Sequence, residues 1–125
     1  MPAWPRLQPL VEPLLALPPG QLDCWGLVAV LLEQGFGLDL VQDQEGFGRE
    51  VVEIWFETDP RPPLTLVQPW DCVLMAITGP VADHCGLVME GTQLVHTRAK
   101  QGVRVEPLTR FMPHLLQIVR LRRLC

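Results

Sequence analysis

HCGLVMEGTQLVHT, residues 84–97, reads as two short β-type runs joined by Glu90, Gly91 and Thr92. An odd-numbered loop of this kind sets Met89 opposite Gln93, Gly86 opposite His96 and His84 opposite Arg98. His84 and His96 then share one face of a hairpin. As diagonal neighbours they stand about 7–8 Å apart at the backbone, within side-chain reach. Gly86, opposite His96, is expected to leave the space between the rings open. Cys85 points to the other face. It is expected in the core on a side without helices, or packed beneath another segment.

Outward from the hairpin the pattern divides the chain in two. After Pro69 the runs CVLMAI, VRVEP and LLQIVRL are β-type and separated by turns such as KQG. Before it the spacing is helical. Leu7, Leu10, Val11, Leu14 and Leu15 recur as in a short helix broken by prolines, and Pro18, Pro19 and Gly20 form a turn. Cys24–Glu33 is apolar on nearly every side, which predicts a helix buried in the protein centre. Asp23 is its N-cap, and Gly35 and Gly37 end it. Phe47, Val51, Ile54 and Trp55 predict a second amphipathic helix with Glu50, Glu53 and Glu57 outward, stopped by Pro60, Pro62 and Pro63. Helices first and strands afterwards predict an α+β domain, with N-terminal helices packed on an antiparallel sheet of about five strands. Its 125 residues suffice for one domain, 1–125, with a Pro-rich N-terminal segment at 1–19.

A net charge of −4 offers no electrostatic basis for binding nucleic acid. No apolar run approaches the roughly 20 residues needed to cross a bilayer, so no membrane insertion is expected. The first 20 residues lack a basic start and are interrupted by Pro5, Pro9 and Pro13, so no signal peptide is expected. Synthesis for the cytoplasm, or delivery by another route, follows. The 4 cysteines include no Cys-x-x-Cys pair, and no spacing suggests a metal or other cofactor.

A working thiol must be thiolate-prone, accessible and near a base. Cys24 opens a helix, where the partial positive charge of the terminus favours thiolate. Cys72 begins an apolar strand, Cys85 lies mid-sheet and Cys125 ends the chain. Packing is the ordinary fate of an isolated cysteine. Here, however, two histidines on one hairpin face, set against a helix that begins with a cysteine, supply a nucleophile, a base and an orienting group. His114 has no comparable setting and reads as surface or structural.

These segments resemble the NlpC family of bacterial and phage cell-wall cysteine peptidases. LDCWGLV is similar to the family's Asp-Cys-(Ser/Trp)-Gly-(Leu/Phe)-Val segment. HCGLVMEGTQLVHT is similar to its His-Val-Gly-Ile-Tyr-x-Gly-x-x-x-(Leu/Val)-x-His-Ala segment, with the same spacing of histidines. QPWDCVLMAI resembles the Pro-Gly-Asp-Leu-Val-Leu-Phe strand, where Asp71 matches and Cys72 replaces an aliphatic residue. GVRVEPL resembles the strand that follows. The likeness runs from about Gly20 to the C-terminus, and Trp25 resembles the phage-tail members.

The resemblance implies a papain-like fold, with Cys24 as nucleophile, His84 as general base and His96 as the orienting third residue. It implies cleavage of the D-γ-glutamyl–diamino acid bond of peptidoglycan stem peptides, with Asp23 touching a substrate amine and no cofactor. It also implies a place in a phage or phage-like tail tip, made in the host cytoplasm, with tail-hub proteins as partners. The Pro-rich segment and LLQIVRLRRL are the expected docking surfaces. Arg120, Arg122 and Arg123 pair with acidic neighbours there or form a solvated basic end. Family members usually carry a Tyr before the nucleophile that helps bind the oxyanion, and this chain has no Tyr. Losing one such donor costs roughly 100- to 1,000-fold in rate. Two alternatives follow: a weak or inactive structural component of a tail that keeps the fold, and an acyl transferase acting on lipid.

Overall fold

Two prolines shape the N-terminal segment. Pro9 lies in the first turn of α1 (Gln8–Val11), and Pro13 in that of a 3-10 turn at Glu12–Ala16. Neither position needs a helical N–H donor, so proline is tolerated there. Leu7, Val11 and Leu14 are buried. The computed structural model describes residues 5–37, 55–57, 67–80, 83–98 and 100–121. Leu7 N–H and Gln8 N–H donate to Glu90 Oε1 at 2.6 and 3.5 Å, and Trp70 Nε1–H donates to the Pro5 carbonyl at 2.7 Å, tying the segment to the rest of the chain. Its apolar residues are therefore spent largely on this chain's own core.

Helix α2 spans Cys24–Phe36. Asp23 caps it as expected, Oδ1 accepting from Gly26 N–H at 2.6 Å. Gly37 closes it in the left-handed region at φ 72°, which a side chain would strain. The helix is one-sided rather than central. Leu27, Val28, Leu31 and Leu32 are buried, each contributing about 2 kcal/mol, whereas Trp25 is 39% exposed.

The strands are β1 (Trp55–Glu57), β2 (Cys72–Met75), β3 (His84–Met89), β4 (Gln93–Arg98), β5 (Gly102–Pro107) and β6 (Leu115–Leu121). They form one antiparallel sheet in the order β1-β6-β2-β3-β4-β5. The α+β expectation holds, and β2–β6 are the five antiparallel strands read from the C-terminal half. β1 is an addition. The apolar spacing predicts a helix at Trp55, but Trp55 pairs in extended backbone with Leu121. The remainder of that expected helix, Phe47–Ile54, lies outside the described residues. The β3–β4 hairpin has the expected register, Met89 opposite Gln93.

Each face of the sheet has its own core. One holds Cys72, Cys85, Leu87 and Val95 against α2 and the N-terminal segment. The other holds Val73, Met75, Val88 and Leu94 against Leu108 and Phe111 of a 3-10 turn, Leu108–His114. Alternation along β3 and β4 places His84 and His96 with this second group. Of the two places expected for Cys85, the structure shows the second: it packs beneath another segment, helix α2, and not on a helix-free side. The expectation that the histidine face is set against the helix is corrected, because that face turns away from it. The space at Gly86 is not open either: a Cβ there would meet the Val95 carbonyl at 2.8 Å and Leu94 Cδ1 at 2.9 Å. Glycine is needed there because Leu94 fills the room.

Asp71, just ahead of β2, is buried and ion-paired with β6. Arg120 Nε donates to Oδ1 at 2.9 Å and Nη2 to Oδ2 at 3.0 Å. Arg120 thus pairs with an acidic neighbour, and Arg122 and Arg123 lie outside the described residues.

Candidate functional site

The helix start and the hairpin meet at an end of the sheet rather than face to face. His84 is the first residue of β3, so its ring reaches past the strand end towards the first turn of α2. Thr97 Oγ1 donates to the Leu22 carbonyl at 3.2 Å, fixing the approach to Cys24 against β4. A cleft of about 290 Å³ results, lined by Gly20, Leu22, Asp23, Cys24, His84 and Thr97. Another, of about 330 Å³, opens on the far side of His84, with Thr78, His96, Arg98 and Phe111 in its wall.

Asp83 holds the strand end in place. Its carboxylate accepts from Ile77 N–H and Thr78 N–H, each at 2.8 Å, and from the Thr78 hydroxyl. The Ile77 N–H and the two Thr78 donors stabilise its charge and lower its pKa to about 2.

His84 Nε2 and His96 Nδ1 are 2.9 Å apart, and the rings meet edge to face. His96 is fully buried and stacks edgewise on Phe111. Burial pulls its pKa below the ordinary value, the bond to Glu106 opposes this, and Arg98 and Arg104 add to the lowering. His96 therefore rests neutral, and its contact with Glu106 is a hydrogen bond to a carboxylate, not an ion pair. His96 Nε2 and Glu106 Oε2 are 2.5 Å apart. Glu106 also accepts from Arg110 Nη1 at 2.7 Å and has Arg98 Nη2 at 3.4 Å. Burial would push Glu106 up, but the His96 bond, with the nearby arginines, outweighs it and holds the carboxyl below its usual range.

Sequence reasoning missed Glu106, although a signal was present. Arg98 pairs with Gly102 across an odd number of intervening residues, as in the first hairpin, and that register sets His96 opposite Arg104. Glu106 then falls diagonal to His96 on the same face, by the arithmetic that brought His84 and His96 together.

Cys24 departs from expectation in its charge state. Its thiol is pushed up to about 12, first by Cys85, then by burial, with His84 pulling the other way. Cys24 is half-buried, and Cys85 lies beneath it on the helix-facing side of β3. The helix terminus does not outweigh these effects, so the resting group is a neutral thiol. For Cys85, a bond from Cys24 lowers the pKa, but Cys72 and burial raise it further, and the net direction is up. Cys72 is fully buried beside it. Asp23 lines the cleft as well as capping α2. His114 is exposed, and only its carbonyl makes a structural bond, accepting from Ala76 N–H at 2.9 Å. Among the described residues no group of three His, Cys, Asp or Glu is arranged to hold a metal ion, and no helix is long and apolar enough to cross a membrane.

The arrangement places a thiol and an imidazole on one cleft, with a second imidazole and a carboxylate behind. Comparison with known proteins bears on it in three ways. Residues 14–120 match the NlpC/P60 family. The fold is similar to the crystal structure of a NlpC/P60 family protein from Bacillus cereus ATCC 10987, with a TM-score of 0.62 at 16% identity. That likeness covers 94% of this chain but 40% of the Bacillus cereus chain. No curated protein matches. With the family match spanning most of the sequence and the same fold beneath it, the chain belongs to the NlpC/P60 family, whose members are generally cysteine peptidases of the cell wall.

Proposed function

We propose that this chain is a peptidoglycan-cleaving cysteine peptidase acting at the D-γ-glutamyl–diamino acid bond of stem peptides. The observation that carries the reading is the cleft shared by Cys24 and His84, with His96 2.9 Å behind His84. Because the Cys24 thiol rests neutral, the nucleophile forms by proton transfer as substrate binds. His84 takes the thiol proton while sulfur attacks the amide carbon. The His84 imidazolium then protonates the leaving amine, and the C–N bond breaks to leave a thioester on Cys24. Water, losing a proton to His84, hydrolyses the thioester to a carboxylic acid and restores the thiol. His96 orients the His84 ring. The N–H of Cys24, in the first turn of α2, has no acceptor within the helix and serves the oxyanion in place of the missing Tyr. Asp23, at the mouth, receives a substrate amine.

We place this activity in a single domain carried on a phage or phage-like tail tip, made in the host cytoplasm and docked to tail-hub proteins. Trp25, beside the nucleophile and 39% exposed, is the residue that resembles tail members. Co-sedimentation with tail particles tests the placement, and recovery only as a free monomer would refute it.

A second reading, a tail component that keeps the fold with little activity, is favoured by two observations. These are the absence of Tyr and the raised Cys24 pKa. One experiment separates the two. Purified protein is incubated with peptidoglycan fragments and the products are weighed, beside Cys24→Ala. Free diamino-acid-terminated products from the wild type alone support the peptidase. Intact fragments in both support the structural reading.

A further inference from the structure

The carboxylate behind the two histidines is tied down more firmly than a passive neighbour of His96 requires. Glu106 is 8% exposed on β5 and spends both oxygens. Oε1 accepts from Arg110, while Oε2 faces His96 and lies 3.4 Å from Arg98. The arginines come from two different elements, β4 and the 3-10 turn after β5.

We propose that Glu106 is a positioning residue which, clamped by Arg98 and Arg110, sets the ring tautomers of His96 and His84 so that an unprotonated His84 Nδ1 faces Cys24. An ionised carboxylate only accepts hydrogen bonds, so His96 Nε2 must carry a proton. A neutral His96 then has no proton on Nδ1, and that atom is an acceptor. His84 Nε2, 2.9 Å away, must therefore be the donor. With its one proton on Nε2, neutral His84 keeps its lone pair on Nδ1, the nitrogen left for the cleft it shares with Cys24. One carboxylate thus decides, two rings away, whether the base can take a proton.

The charged and titratable groups around His96 are consistent with this. They are His84 from β3, Arg98 from its own strand, and Glu106 and Arg104 from β5, while Phe111 closes the remaining side. Glu106 is the only carboxylate among these groups.

The consequence for rate rests on the peptidase reading above; the tautomers do not, and the test keeps the two apart. Protein with 15N-labelled histidines is examined by long-range proton–nitrogen spectra at about pH 8, where unperturbed imidazole is neutral. The expected wild-type result is Nε2–H for both His84 and His96. An Nδ1–H form of His96 in the wild type would overturn the proposal, whatever any variant does. Glu106→Gln keeps size and shape but can donate as well as accept. It should release the constraint and give mixed or reversed tautomers at both rings. Unchanged tautomers in Glu106→Gln would also overturn it.

The kinetic arm uses the stem-peptide fragments. Loss of the correct tautomer lowers kcat by about 100-fold or more with KM within about twofold, since the substrate does not touch Glu106. Altered tautomers with unchanged kcat would show that Glu106 does not position the base for catalysis. If the wild type cleaves nothing, the peptidase reading falls, while the spectra still decide the tautomers.

Discussion

Asp-Cys occurs at residues 23–24 and again at 71–72, and the two copies have opposite fates. Asp23 is exposed and caps a helix, and Cys24 opens onto a cleft beside a histidine. Asp71 is 1% exposed and locked to Arg120, and Cys72 is fully buried in the core beneath α2. The dipeptide carries no chemistry of its own. A helix start leaves its first N–H groups and side chains facing outward at one end. A strand in mid-sheet offers its side chains only to the layers packed on it.

The largest expected difference between the copies is in turnover. Cys24→Ala should lower stem-peptide cleavage by at least about 10,000-fold, the scale on which losing a nucleophile acts. Cys72→Ala should leave the rate near wild type and cost about 1 kcal/mol of stability, as a small core truncation does. Parallel assays and denaturant curves on the two variants check this. Comparable losses of rate would erase the contrast.

Reactivity comes next. The gap between the ordinary thiol value of 9.0 and about 12 leaves Cys24 roughly a thousandfold less thiolate near neutral pH than an ordinary cysteine. Its alkylation should therefore rise with pH well beyond 9, not saturate in mild acid. Cys24 should still label ahead of Cys72 and Cys85, which are fully buried. Cys85→Val removes the largest cause of the upward shift and should move the profile to lower pH. Iodoacetamide rates mapped by peptide across pH test both statements. A wild-type midpoint at or below 9 would mean that the helix terminus outweighs the neighbouring thiol.

The aspartates sharpen the comparison through stability. Asp71→Ala removes the buried carboxylate that pairs with Arg120 and should cost about 3 kcal/mol. Asp23→Ala loses one helix cap and should cost about 1 kcal/mol. Chemical unfolding of the two variants measures the difference, and equal costs would contradict the burial contrast.

The smallest effect belongs to Asp83, beside the histidine. Its pKa falls from 3.8 to about 2 on folding, so its contribution is full above the unfolded value and is lost as pH falls through the folded one. Asp83→Asn should lower stability slightly at neutrality, where the charged group contributes fully, and flatten the decline between about pH 4 and 2. Acid titration followed by unfolding shows whether it does.

Which parts were legible in the sequence follows from how local their causes are. Asp23, Gly37 and the odd loop at 90–92 act over a few residues, and the cap, the helix end and the hairpin register all came out as expected. The side to which Cys85 points required knowing which face α2 covers, and that is a contact between segments about sixty residues apart. Trp55 lies in a stretch whose apolar spacing suits a helix, yet it pairs with Leu121, so tertiary pairing overrides the local pattern there. The helix terminus alone predicts a thiolate at Cys24, and the second thiol that the sheet brings beneath it reverses that. Glu106 needed two hairpin registers combined, although each was available from its own turn.

The central claim is that Cys24, and not its sequence twin, forms the covalent intermediate. Its most direct test is rapid acid quench of protein mixed with a stem-peptide fragment, followed by intact mass and peptide mapping. The account predicts a transient thioester adduct of the γ-glutamyl-containing acyl fragment on Cys24, absent from Cys24→Ala and present on Cys72→Ala. Product formation with no adduct on Cys24, or an adduct on another cysteine, would contradict it.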